Sequence, residues 1–285
     1  MITTAMKTAS MSSPGDAGAL VDPQWLQDHL DDPAVRVVEV DVSPAAYNGG
    51  HVDGAVLWNI YSDLKDAKYQ LMGAAELQEL VERSGISPDS TVVFYGYAPA
   101  LGLWLMTLYG HRDVRILNCS RDTWRSAGRR WSSDAGSPAL GRFHLGDQDT
   151  SIRADAEAVR EAISRPDVTL LDVRTAAEYQ GERFWPSGGM EPGGRAGHVP
   201  SAVHRPIDGL HDEDGSFRST AELRQIFSSV ELDGSAELIT YCTIGGRAAT
   251  TWFVLTHLLG RGHVRVYDGS WAEWGRMTET SVERS

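Results

Sequence analysis

Along the chain, unbroken runs of β-branched and aliphatic residues alternate with stretches of helical spacing. The clearest runs are Val35-Arg-Val-Val-Glu-Val-Asp41, Thr91-Val-Val-Phe-Tyr95, Thr169-Leu-Leu-Asp-Val173 and Glu237-Leu-Ile-Thr-Tyr241. Strands buried on both faces need such continuous apolar runs, and the helical stretches between them supply the covers. The expectation is an α/β fold, with parallel sheets carrying helices on both faces. The pattern also occurs twice. The first run leads to Gly50-His51-Val52-Asp53-Gly54-Ala55-Val56, and the third to Gly197-His198-Val199-Pro200-Ser201-Ala202-Val203. The second precedes the apolar stretch Leu101 to Tyr109 and then Gly110-His111. The fourth precedes Ala248 to Leu259 and then Gly262-His263. Each half closes on a tryptophan turn, Asp122-Thr-Trp124 and Gly269-Ser-Trp271. Four elements repeated in one order predict tandem domains. They are expected over 19–131 and 150–277, joined by a linker at 132–149 that contains Gly, Ser and Pro. A flexible tail is expected over 1–18 and a short one over 278–285.

Composition removes several classes of function. A net charge of −13 argues against nucleic acid as a partner, since phosphate binding needs a basic surface. No apolar run approaches the ~18 residues of a membrane span, so no membrane partner is expected. The first twenty residues hold one lysine and no apolar core, unlike a signal peptide, which leaves the cytoplasm as the expected compartment. Two cysteines, Cys119 and Cys242, cannot build a four-cysteine zinc site, and a disulfide is not expected in a reducing compartment. The nine histidines include no close ligand pair; His51 and His198 hold equivalent places in the repeat, which suggests that they tie loop backbone. Asp212-Glu-Asp-Gly215 hints at a calcium loop, but its closing carboxylate would fall on Ala221, so a turn is expected. With neither a Walker loop nor a dinucleotide fingerprint, no metal and no organic cofactor are expected.

The halves differ at one place. After Tyr241 comes Cys242-Thr243-Ile244-Gly245-Gly246-Arg247 and then a helix, whereas Gly96 stands where the cysteine would be in the first half. A short glycine loop between strand and helix turns backbone N–H groups and the positive end of the helix dipole into one hollow. A thiol at that hollow is favoured as thiolate. The two glycines allow the backbone to curl, and Arg247 at the helix start can hold loop carbonyls or a substrate oxyanion. Cys119, in Asn118-Cys-Ser120, has no such cradle and reads as a small buried residue.

Tyr241-Cys-Thr-Ile-Gly-Gly-Arg-Ala248, Asp172-Val-Arg174 with Glu178-Tyr179, Gly197-His-Val-Pro200 and Asp268-Gly-Ser-Trp271 resemble the rhodanese family. The likeness is to its two-domain thiosulfate and 3-mercaptopyruvate sulfurtransferases and covers about Leu20 to Gly275. It implies two tandem rhodanese-like domains, a silent first and a catalytic second, and sulfur transfer through a persulfide on Cys242. The donor would be a small molecule, thiosulfate foremost. The acceptor would be cyanide, a thiol or a sulfur-accepting protein. A 3-mercaptopyruvate enzyme and a persulfide carrier are the alternatives. Asp172 would support the loop directly or through Arg174. Two departures stand out: Thr243 and Ile244 match neither donor pattern, so Thr243 withholds a positive charge beside the thiolate, and Glu178 stands where animal-type enzymes carry arginine. Arg183 and Arg195 are the candidates to replace that cation. A phosphatase of the same fold would need Cys-x5-Arg; this loop is Cys-x4-Arg.

Overall fold

The computed structural model describes residues 17–228 and 237–284; most of the expected N-terminal tail, residues 1–16, lies outside the described residues. The first half carries β1 (Leu20–Val21), β2 (Val35–Asp41), β3 (His51–Val52), β4 (Val56–Asn59), β5 (Thr91–Gly96), β6 (Val114–Leu117) and β7 (Trp131–Ser132). The second carries β8 (Arg153–Ala154), β9 (Val168–Asp172), β10 (Val203–His204), β11 (Glu237–Tyr241) and β12 (Val264–Tyr267). Two five-stranded sheets result, ordered β4-β2-β5-β6-β1 and β10-β9-β11-β12-β8, and every pairing in them is parallel. The order is the same in both, so the sequence repeat is also a repeat of topology. The register carries it to single residues: Glu39 pairs with Tyr95 as Asp172 pairs with Tyr241.

One apolar core runs through both halves, from Trp58, Phe94 and Trp104 to Tyr241, Phe253 and Trp271. The helices Pro99–Leu108 and Gly246–Phe253, which follow the equivalent strands β5 and β11, pack against each other across the boundary. Gly246 permits the approach: a Cβ there would sit 3.1 Å from that of Ala98.

The connecting segment 132–149 is strapped onto the first half. Gly141 N–H donates to the Glu82 carbonyl, Phe143 N–H to that of Ile86, and Asp149 N–H to that of Leu108. The C-terminal segment also folds back, with His198 and Glu283 exchanging backbone hydrogen bonds. His51 and His198 do equivalent work: each Nδ1 lies 2.9 Å from a carbonyl, of Tyr47 and Tyr179, on whose rings they stack. Asp212–Gly215 forms a tight turn, and the Asp214 carbonyl accepts from Ser120 N–H of the first half. Among the described residues no cluster of three metal-ligating side chains occurs, and no helix is long and apolar enough to cross a membrane.

Candidate active site

β11 delivers Tyr241 to the carboxyl edge of the second sheet, and the chain then turns through residues 242–245 into the helix Gly246–Phe253. Gly245 makes the turn at φ +93°, and a Cβ there would meet the Asp268 carbonyl oxygen at 2.8 Å. Conformation and space both require glycine. Gly245 N–H points back and donates to Cys242 Sγ at 3.2 Å. The turn at residues 268–272 holds the loop from behind. Ser270 Oγ accepts from Cys242 N–H at 3.0 Å, Trp271 N–H donates to the Cys242 carbonyl at 2.9 Å, and Ala272 N–H to the Thr243 carbonyl at 2.8 Å.

Cys242 is 1% exposed and borders a cavity of about 220 Å³. The loop forms its floor, Trp185 and Pro186 one side, and Val42, Ile60, Tyr61 and Tyr97 of the first half the opposite wall. The first half therefore supplies part of the wall of the cavity that Cys242 borders.

Arg247 lies at the start of the helix, as its place in the sequence predicts, but it is already engaged. Its terminal nitrogens donate to Glu178 Oε1 at 2.7 Å and Oε2 at 2.9 Å, and one also donates to Thr243 Oγ1 at 2.7 Å. Thr243 donates in turn to Glu178 Oε1 at 2.6 Å. Glu178 completes a capping box with Thr175 at the start of the helix Ala176–Tyr179. Burial alone would raise the Glu178 carboxyl; hydrogen bonds and charge from Arg247, with the Thr243 and Thr175 hydroxyls, hold it at about 2. Burial works against the Arg247 charge, which Glu178 holds firm. Thr243 is thus a buried strut as well as part of the cavity lining, and Glu178 occupies the guanidinium of Arg247.

Asp172 and Arg174 stand behind the loop, both fully buried and paired at 2.6 Å. Asp172 Oδ1 accepts from the Arg174 backbone N–H, and the guanidinium donates to the Gly197 carbonyl and lies over the Trp271 ring at 4.5 Å. Asp172 therefore reaches Arg174, and the pair braces Trp271 and the Gly197 turn. Arg183 and Arg195 are not brought to the cavity. Arg183 donates to the Pro186 carbonyl at the surface. Arg195 donates to the carbonyls of Trp274, Gly275, Met277 and Thr280, closing the end of the helix Ser270–Trp274. Both sit in loops whose path sequence spacing does not specify. Burial pushes the Cys119 thiol up to about 11, and it borders a separate cavity.

Sequence reasoning missed the roles of four residues. Glu178 was legible only as part of the Glu178-Tyr179 pattern and as a departure from arginine, and Ser270 only as part of the repeated tryptophan turn. Tyr61 and Tyr97 had no signal, because they act from the other half.

A rhodanese-like domain model matches this chain twice, over residues 22–127 and 155–277. "Putative thiosulfate sulfurtransferase SseA" of Mycobacterium tuberculosis (strain CDC 1551 / Oshkosh) is 39% identical over 92% of this chain and 90% of its own. Sulfur carrier protein TtuD of Thermus thermophilus is 37% identical over 93% of this chain and 96% of its own. Among solved structures, wild-type EanB superposes with a TM-score of 0.81 at 24% identity, over 97% of this chain and 71% of that one. An anaerobic ergothioneine biosynthesis enzyme from Chlorobium limicola gives 0.81 at 23% identity, over 94% of this chain and 70% of that one. These two share the fold.

Proposed function

This chain belongs to the rhodanese family and is a sulfurtransferase, and on that premise we propose that sulfur passes through a persulfide on Cys242, with thiosulfate as donor. The observation that carries the reading is the Cys242 sulfur at a cavity floor, with Gly245 N–H aimed at it from 3.2 Å. The thiolate attacks the outer sulfur of thiosulfate; the S–S bond of the donor breaks and sulfite leaves with the electron pair. A thiolate or cyanide then attacks the outer sulfur of the persulfide, and the Cys242 thiolate is regenerated. Two displacements replace one difficult transfer. The loop N–H groups and the helix start stabilise the charge on the stored sulfur. Thr243, Ile244, Gly246 and Arg247 shape the loop, and Asp172 with Arg174 braces it from behind.

The division into a silent domain over 19–131 and a catalytic one over 150–277 is part of the same proposal, supported by Gly96 at the place of Cys242. So is a cytoplasmic location. The 37% identity with a protein named as a sulfur carrier favours a second reading, in which the persulfide is cargo for a protein acceptor.

Thiosulfate treatment followed by peptide mass spectrometry tests the proposal. One added sulfur is expected on the Cys242 peptide, lost in Cys242→Ser and kept in Cys119→Ser; sulfur on Cys119 alone would refute it. Steady-state turnover with thiosulfate and with 3-mercaptopyruvate, each against cyanide, assigns the donor, and loading without turnover supports the carrier reading.

A further inference from the structure

The first domain touches the support of the Cys242 loop through one buried side chain. β4 ends at Asn59, whose side chain accepts from the N–H groups of Tyr61 and Ser62 and so caps the wide helical turn Ile60–Leu64. Ile60 and Tyr61 at its start border the Cys242 cavity. Lys65, immediately after it, is 2% exposed. Its Nζ donates to the Asp268 carbonyl at 2.8 Å and to Asp268 Oδ2 at 2.9 Å, while Oδ1 accepts from Arg153 Nε at 2.8 Å.

Asp268 has a place in the site. Its carbonyl oxygen lies so close to Gly245 that a Cβ there would approach it to 2.8 Å. Lys65 therefore grips, from the far side, the carbonyl against which Gly245 rests, and Gly245 N–H is the donor to the Cys242 sulfur. Two residues later Ser270 sits at φ +55°, a conformation unfavourable for a residue with a Cβ. The turn keeps this shape only because its surroundings impose it. A buried lysine–carboxylate pair is an expensive way to join domains, since apolar residues of similar volume serve as well or better. What it adds is direction, because the ammonium fixes both a carbonyl and a carboxylate oxygen.

We infer that Lys65, from the domain without a nucleophile, is a positioning residue for sulfur transfer: it holds the Asp268 carbonyl, and through it Gly245, so that the Gly245 N–H stays aimed at the Cys242 sulfur. The inference rests on the Cys242 reading for its consequence in sulfur transfer, and on geometry alone for its consequence at the thiol.

The test uses the full chain carrying Lys65→Met, Lys65→Arg, or Lys65→Met with Asp268→Asn, the last returning the summed charge of Lys65, Asp268 and Arg153 to its wild-type value. Two rates are read: single-turnover sulfur loading from saturating thiosulfate, and alkylation of Cys242 by iodoacetamide followed by mass spectrometry. Lys65→Met should slow both ~tenfold, the scale of one lost hydrogen bond to a charged group. Lys65→Arg should recover most of the loss. The double variant should remain slow. A double variant that regains the wild-type rate would show that Lys65 acts only through the local charge and would overturn the inference, as would Lys65→Met at the wild-type rate. If the double variant does not fold, equal rates in Lys65→Met and Lys65→Arg overturn it. A wild type that takes up no sulfur refutes the proposed function, while the alkylation rates still decide the role of Lys65.

Discussion

Replacing Glu178 by glutamine should weaken the fold and tighten thiosulfate binding at once. The carboxylate is fully buried and accepts from Arg247, Thr243 and Thr175. A carboxyl held at about 2 instead of the ordinary 4.5 stabilises the native state by about 3 kcal/mol at pH 7, at about 1.4 kcal/mol per tenfold change in proton affinity. Because the native value is the lower one, that contribution is complete above pH 4.5 and fades as the pH falls towards 2. Urea unfolding of wild type and Glu178→Gln should therefore differ by about 3 kcal/mol at pH 7 and by only about 1 kcal/mol at pH 3. Glutamine also leaves Arg247 without its neutralising partner beside the cavity. One uncompensated charge near a partly buried dianion is worth on the order of 1 kcal/mol, so the KM for thiosulfate should fall about fivefold. A stability difference that does not change with pH, together with an unchanged or higher KM, would refute the idea that Glu178 silences Arg247.

Gly96→Cys should not create a second sulfur site, because Gly96 has φ +106° and a Cβ there would lie 2.9 Å from the Val40 carbonyl oxygen; mass spectrometry should still find one sulfur per chain, with the fold weakened by about 2 kcal/mol. Arg195→Met should free the C-terminal segment, seen as faster proteolysis beyond Trp274 and a loss of about 2–4 kcal/mol, while the KM for thiosulfate stays unchanged.

The two domains divide the work differently from what the presence or absence of a cysteine suggests. The first encloses the sulfur with Tyr61 and Tyr97 and reaches its support through Lys65, and a single turn, Ile60–Leu64 with its flanking lysine, serves both ends. In the first domain the place of Cys242 is held by Gly96, in a conformation and a space that a cysteine side chain does not fit.

The sequence by itself determined the α/β fold, the twofold repeat, and the glycine loop that carries Cys242 at a helix start. These are local properties. Short runs rich in Val, Ile and Leu between helical stretches read as buried strands, repeated runs need repeated covers, and a Cys-x4-Arg loop with two glycines carries its own N–H geometry. Tertiary structure decided which groups the loop answers to. Glu178 takes Arg247 from 69 residues away, and Lys65 takes Asp268 from 203 residues away. Arg183 and Arg195 fit the expected chemistry equally well in one dimension, yet their segments turn them towards other carbonyls. A charge in a sequence has no partner until the chain is folded, and burial then makes that partner decisive. The spacing of Cys242 and Arg247 could therefore be read in advance, while the neutralisation of that arginine and the grip of Lys65 could not.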